Sequence, residues 1–374
     1  MRRALKFPLI LIVLLLLFLG AGLVLLLTNE GYLKGTLEYS INKIISSSDL
    51  SVSDIQVGTL DTETLQIESL VIKTKLDDLS FKLKGLSIPL ENVLRFSSAN
   101  FQQEFTFLTE VDAQKLLPGS EFADLNTRLV WKGSKIKLDI FTKEAVIYGS
   151  KIKDISIDAE ISPAGELITP RPINFSVKES NLGIIVKNIK GSFKVGPNKA
   201  SLIDAKVRGD LLGGSAQLEA AEYRPAAAQN TSLLKLKEID ISKIFELYAS
   251  ENISGTGLLE ATLPLTLTKG NIRINAGEFS SLGGGKIVVP LPGGSNNSDV
   301  DLASRALSNF VYRELKGKVE LKTTGDLYLN FTLQGHNPDL NNGQPVNVSA
   351  NVEENIPLLI KSIRLSQGVG LGKH

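Results

Sequence analysis

Residues 326–333 read DLYLNFTL, and the alternation in that octet decides the fold. Leu327, Leu329, Phe331 and Leu333 fall two apart, with Tyr328, Asn330 and Thr332 between them. A period of two puts the apolar set on one face of a β-strand and the polar set on the other; a helix would scatter both around its axis. The same period recurs upstream: Leu65 and Ile67, then Val71 after a slip; Ile155, Ile157, Ala159 and Ile161; Ile203, Ala205 and Val207; Ile272, Ile274 and Ala276. Turn signals such as GPN, GGS, TTGD and SPAG separate these runs roughly every ten to twenty residues, which is hairpin spacing rather than βαβ spacing. The pattern predicts a mainly β body of roughly 16 to 20 strands, a sheet some 75 to 95 Å wide at about 4.8 Å per strand. An open, twisted antiparallel sheet of that width coils, and with its apolar face inward it forms an elongated groove.

A few short helices interrupt the strands. Ser242 to Ala249 carries Ile244, Phe245 and Tyr248 on one side. A second helix is expected near 299–315, where Ser298 and Asp301 form a capping pattern ahead of Leu302, Ala306, Leu307, Phe310 and Val311. A third is expected near 355–364, because Ile356, Leu359, Ile360 and Ile363 follow i, i+3, i+4, i+7 spacing.

The N-terminus follows different rules. Pro8 to Leu27 is an uninterrupted apolar run, with Arg2, Arg3 and Lys6 before it and Glu30 the first charge after it. Twenty residues at about 1.5 Å each span about 30 Å, the thickness of a bilayer's hydrocarbon core. The flanking charge predicts an N-terminus in the cytoplasm and a translocated body. A cleavable signal peptide would need a shorter core and a small-residue cleavage site, which LLLTNEGYL does not offer; either way the body is exported. Leu33, Leu37, Ile41, Ile44 and Ile45 then read as a short amphipathic helix leaving the membrane surface.

Charge and residue types narrow the function. Lysine and arginine total 41 against 40 acidic residues, a balance that does not suit a dedicated nucleic-acid binder. The chain has no cysteine, which removes disulfides, thiolate metal sites and cysteine nucleophiles together. Its two histidines are His336, in the turn-rich string GHNPDLNNG, and the terminal His374. Neither has the neighbours of a catalytic triad, and histidine-based metal sites are excluded by number. The SLGGGKI run at 281–287 lacks phosphate-loop spacing and reads as a tight hairpin or bulge. Asp299, Asp301, Glu353 and Glu354 read as solvated charges. No catalytic residue, metal or cofactor is expected.

The C-terminal third, from GTGLLEATLPLTLTKGNIRINAGEF to NVEENIPLLIKSIRL, resembles the YdbH family within the wider AsmA-like group. The resemblance rests on the G-x-NP turn at Gly335 to Pro338, ENIPLL at Glu354 to Leu359 and ALSNFVY at Ala306 to Tyr312. LSVSDIQVGTLDTETLQIESLVIK, after the N-terminal anchor, is similar to the opening of AsmA-like chains. The layout implied is a basic tail (1–7), an anchor (8–27), a juxtamembrane helix (28–50), an AsmA-like periplasmic β-groove (51–254) and a YdbH-like β region (255–374). The function implied is guidance of phospholipid between the inner and outer membranes of a bacterial envelope by an inner-membrane-anchored protein. The groove would be lined by residues such as Ile155, Ile157, Ile203, Val207, Ile272, Ile274, Leu327, Leu329, Phe331 and Leu333. A small outer-membrane lipoprotein is the implied partner, received at an exposed edge near Val346, Val348 and Val352. The alternative is an envelope scaffold acting on outer-membrane proteins through strand edges, which requires a filled core instead of an open groove.

Overall fold

A strand with one apolar face is stable when its neighbours turn the same face the same way, and short hairpins achieve this with little loop entropy. The chain's computed structural model follows that rule: the strands belong to one open 20-stranded antiparallel sheet. The structure describes residues 34–35, 38, 50–60, 63–74, 80–89, 102–112, 120–123, 125–132, 135–147, 150–161, 169–181, 184–195, 201–224, 227–247, 253–268, 271–289, 305–356 and 358. The 8–27 run and most of 28–50 lie outside them. Among the described residues no helix is long and apolar enough to cross a membrane. The chain divides into two compact units, residues 1–142 with 161–167 and residues 143–160 with 168–374. The 254/255 boundary suggested by the resemblance falls inside a strand, Ser254–Thr256.

In the first unit β1 (Leu50–Leu60), β2 (Thr64–Thr74), β3 (Ser80–Pro89), β4 (Gln102–Asp112), the short β5 (Glu121–Phe122), β6 (Leu125–Lys132) and β7 (Lys135–Ile147), whose residues from Lys143 on belong to the second unit, follow in chain order. They pair as β1–β2–β3–β4–β6–β7. Val52, Ile55, Leu65, Ile67, Leu70, Leu86, Ile88, Phe105 and Phe107 make one buried cluster. The slip in β2 brings Leu70 into this core, not Val71, which stays half-buried. A bulge in β2 itself explains it: the pairing passes from Gln56↔Ser69 to Val57↔Ile67, so Glu68 is an extra residue on β2 and moves the buried set by one place.

The second unit runs β8 (Ser150–Ile161), β9 (Ile173–Asn181), β10 (Ile185–Val195), β11 (Leu202–Leu211), β12 (Gly214–Tyr223), β13 (Asn230–Asp240), α1 (Ile241–Leu247), β14 (Ser254–Thr256), β15 (Leu258–Thr268), β16 (Asn271–Ser281), β17 (Gly285–Val288), β18 (Phe310–Leu321), β19 (Asp326–His336) and β20 (Pro345–Asn355). Long strands pair as β8–β9–β10–β11–β12–β13–β15–β16–β18–β19–β20, with β17 bridging β14 and β18. Asp154, Asn188, Asp204 and Glu238 hold positive φ, 49°, 50°, 53° and 56°. At these points the apolar spacing becomes three, as in Val186 to Ile189 and Leu236 to Ile239, so bulges restore the facing sense that strict alternation would lose. Asn and Asp tolerate this conformation better than most residues.

Among the described residues, the helix expected near 299–315 is largely replaced by a strand. Asp240 caps α1 by accepting from the Ser242 N–H at 2.9 Å, and the helix is described to Leu247. Helical conformation near 299–315 is confined, among the described residues, to 305–307, and Phe310–Leu321 is a strand. Phe310 and Tyr312, then Leu315 and Val319 after a slip, alternate onto the buried face, and sheet pairing on both sides outweighs the local helical spacing. Ile356 and Leu358 are helical; the remainder of the 355–364 stretch lies outside the described residues.

Opposite the apolar face the sheet is charged. Lys153, Glu179, Lys187 and Asp210 are successive register partners on four strands, alternating in sign. Lys153 donates to Glu179 at 2.7 Å, Lys235 to Glu219 at 3.2 Å and Arg128 to Glu104 at 2.7 Å. These hydrogen bonds hold the Glu179, Glu219 and Glu104 carboxyls below the ordinary value of 4.5. A depressed folded-state pKa contributes stability above the unfolded value and loses it as pH falls through the folded value. Thermal midpoints measured against pH are therefore expected to be flat from about pH 6 to 8 and to fall below about pH 4.5.

Two of the quoted motifs clasp each other. Asn337, fully buried, donates to the carbonyls of Arg305 (2.8 Å) and Ala306 (3.1 Å) and accepts from the Asp339 N–H (2.8 Å). Thus the G-x-NP turn pins the start of ALSNFVY. Removing the amide orphans buried carbonyls, so Asn337→Ala should lower unfolding free energy by about 1–3 kcal/mol in a denaturant titration.

Candidate functional site

In the second unit the register lines up two unbroken apolar rows across eleven strands. One row is Ile155–Val177–Ile189–Gly209–Ala216–Leu236–Ala261–Phe279–Gly317–Phe331–Ala350. Beside it runs Ile157–Phe175–Gly191–Val207–Leu218–Leu234–Leu263–Gly277–Val319–Leu329–Val352. At about 4.8 Å per strand each row is about 48 Å long.

Small and large residues alternate between the rows. Ile189 stands beside Gly191, Val207 beside Gly209, Leu218 beside Ala216, Leu263 beside Ala261, Phe279 beside Gly277, Val319 beside Gly317 and Val352 beside Ala350. Two glycines are demanded by aromatic rings lying over them. A Cβ on Gly191 would stand 2.2 Å from Cζ of Phe175, and one on Gly317 2.7 Å from Cε1 of Phe279. Glycine inside a strand weakens it, so its placement under a ring restores contact that the missing side chain gives up. The result is a low apolar relief instead of interlocking side chains.

Burial divides this face into regions. Among the described residues between Ala159 and Ile239 no apolar side chain is fully buried, so the rows through β9–β12 are half-exposed to water. Farther along, Leu263, Ile274 and Val319 pack together. At one end of β18–β20 the face is covered: Ile241 and Phe245 of α1, Ala306, Leu307, Phe310 and Leu340 pack over Leu315, Leu333 and Val348. Tyr312 locks this cover by donating to the Thr256 carbonyl at 2.9 Å, and burial raises its pKa, keeping the phenol protonated.

The residues expected to line a groove fall in different places. Ile155 and Phe331 lie in the first row, and Ile157, Val207 and Leu329 in the second, all half-buried. Leu327 lies one row farther out, opposite Leu321 and Glu354. Ile274 is 6% exposed and Leu333 1%, so both are interior, whereas Ile272 at a strand end is 46% exposed. Ile203 has Lys194 and Glu222 as register partners, cut off from Ala205 and Val207 by the Asp204 bulge. Of the edge residues, Val348 is 7% exposed and Val346 packs with the cover, while Val352 is 38% exposed. Phe175, Val177, Ile189, Leu218, Leu234 and Phe279 join the rows without having been singled out from sequence, because register decides membership and register is not written in one strand.

Chemically the face offers contact and little else. Both rows consist of aliphatic side chains, phenylalanine and glycine. Among the described residues no group of three or more His, Asp or Glu is placed to hold a metal. His336 ends β19 opposite Pro345.

A family model described as YdbH-like, intermembrane phospholipid transport protein YdbH, matches residues 131–369. The match covers more than half of the chain, which belongs to the YdbH-like family. That family is one of lipid transport proteins and not of enzymes. No curated protein and no solved structure matches the chain.

The division into open and covered regions has a stability signature. Leu333→Ala should cost about 2–5 kcal/mol, as for a filled core, whereas Leu218→Ala on the half-exposed row should cost about 1 kcal/mol. Denaturant titrations of the two variants measure the difference directly.

Proposed function

We propose that the chain guides phospholipid between membranes by sheltering acyl chains on the two apolar rows, with headgroups left in water. The observation that carries this reading is the continuity of those rows across eleven strands while, apart from Leu263 and Val319, none of their apolar side chains is fully buried. Covering apolar surface is worth about 25 cal/mol per Å², roughly 0.8 kcal/mol per methylene, so several contacting methylenes offset much of a chain's exposure to water. Because the rows carry no hydrogen-bonding side chain, nothing fixes a lipid at one position. Sliding from strand to strand exchanges like contacts for like.

The same reading places the Pro8–Leu27 run across the inner membrane, with Arg2, Arg3 and Lys6 in the cytoplasm and the sheet in the periplasm. It also makes β20 the receiving edge for a small outer-membrane lipoprotein. Support comes from the ladder, since β20 pairs with β19 and no second partner among the described residues. Backbone N–H and C=O groups that have no partner among the described residues suit strand addition.

The test is in-cell photocrosslinking with a photoreactive residue at Leu329 and, as a control, at the outward Asn330. Covalent phospholipid at Leu329 and none at Asn330 is expected. Crosslinks only to protein at Leu329 would overturn the reading in favour of an envelope scaffold. Leu329→Asp should abolish transport in a lipid-exchange assay while the protein stays folded, because the side chain is half-exposed; Asn330→Asp should have no effect.

A further inference from the structure

We infer that acyl chains leave the face by one restricted strip on the edge strand, Val319–Leu329–Val352, and that the cover over Leu315, Leu333 and Val348 is an end-stop. This rests on the lipid-guidance reading and adds a route to it.

On β18–β20 the register defines four neighbouring rows: Leu315–Leu333–Val348, Gly317–Phe331–Ala350, Val319–Leu329–Val352 and Leu321–Leu327–Glu354. The first is closed, with Leu333 and Val348 buried in one cluster with Ile241, Ala306 and Phe310. In the second, Phe331 packs against the same cover. The fourth meets a carboxylate at the edge, because Glu354 is the register partner of Leu327, and Asn355 beside it donates to Asp326 at 2.8 Å. An alkyl chain lying there would have to desolvate a charge, which is strongly unfavourable. Only the third row reaches β20 apolar and clear of that cover, running from Val319, buried against Leu263 and Ile274, through half-buried Leu329 to exposed Val352. Rows on one face stand about 7 Å apart, so the strip is about one alkyl chain wide.

The cover is built to stay shut. Asn337 grips its helical turn through two backbone carbonyls, and Tyr312 ties it to β14. Gly285 lets it close down, since a Cβ there would stand 2.1 Å from the Thr256 carbonyl oxygen.

The chain has no cysteine, so a single Val348→Cys or Val352→Cys is its sole thiol. In full-length protein in membranes, a lipid-soluble maleimide should label the cysteine at 352 at least about tenfold faster than that at 348. Equal rates overturn the end-stop. A photoreactive residue at Val352 should capture phospholipid as Val207 does, and one at Val348 should not. Lipid at Val207 with equal capture at Val348 and Val352 refutes the route alone; no lipid at Val207 refutes lipid guidance itself. Asn337→Ala, which loosens the cover, should narrow the labelling ratio, and an unchanged ratio with a destabilised fold would contradict the role given to that clasp.

Discussion

Everything in the second unit depends on cross-strand register. Side chains on a strand change face at every residue, so a slip of one position anywhere would expose half of an apolar row and bury the ion pairs behind it. The chain meets this with bulges, not with uniform strands: where Asp154, Asn188 and Glu238 take up positive φ, the apolar spacing lengthens to three and the rows continue. Lys153, Glu179, Lys187 and Asp210 read the same register from the other side, where like charges facing each other would be penalised.

A face that is apolar for eleven strands and packed over only part of them is an unusual state for a protein, since interiors are normally filled to crystal-like density. The glycines explain how it is maintained. Phe175 over Gly191 and Phe279 over Gly317 give the sheet local cohesion parallel to its own surface, so it need not borrow cohesion from a second layer. Where a second layer does exist, at α1 and 305–310, the polar clasps of Asn337 and Tyr312 hold it in place. Open and closed regions thus differ in construction as well as in exposure.

The period of two in LYLNFTL and its counterparts was enough to read the β class, the antiparallel pairing and a strand number of roughly 16 to 20, because that signal lies within each strand. What depends on partners was not legible. Leu70 instead of Val71, and Ile203 beside Lys194 and Glu222, follow from bulges whose position only pairing reveals. The 299–315 stretch misled because Ala306, Leu307, Phe310 and Val311 satisfy helical spacing, while the strand signal in FVYRELKGKVEL is broken by a slip after Tyr312 and by Gly317. Leu333 and Leu329 look identical in sequence, and the cover that separates them is assembled from residues nearly a hundred positions away, such as Ile241.

The central claim is that the two rows hold lipid because they are apolar and open. Native mass spectrometry of the full-length protein, released gently from detergent, tests it by comparing wild type with Val207→Asp and Leu218→Asp, which put carboxylates mid-row at half-exposed positions. The account predicts bound phospholipid on the wild type and its loss from both folded variants. Equal phospholipid on all three, or none on the wild type, would contradict it.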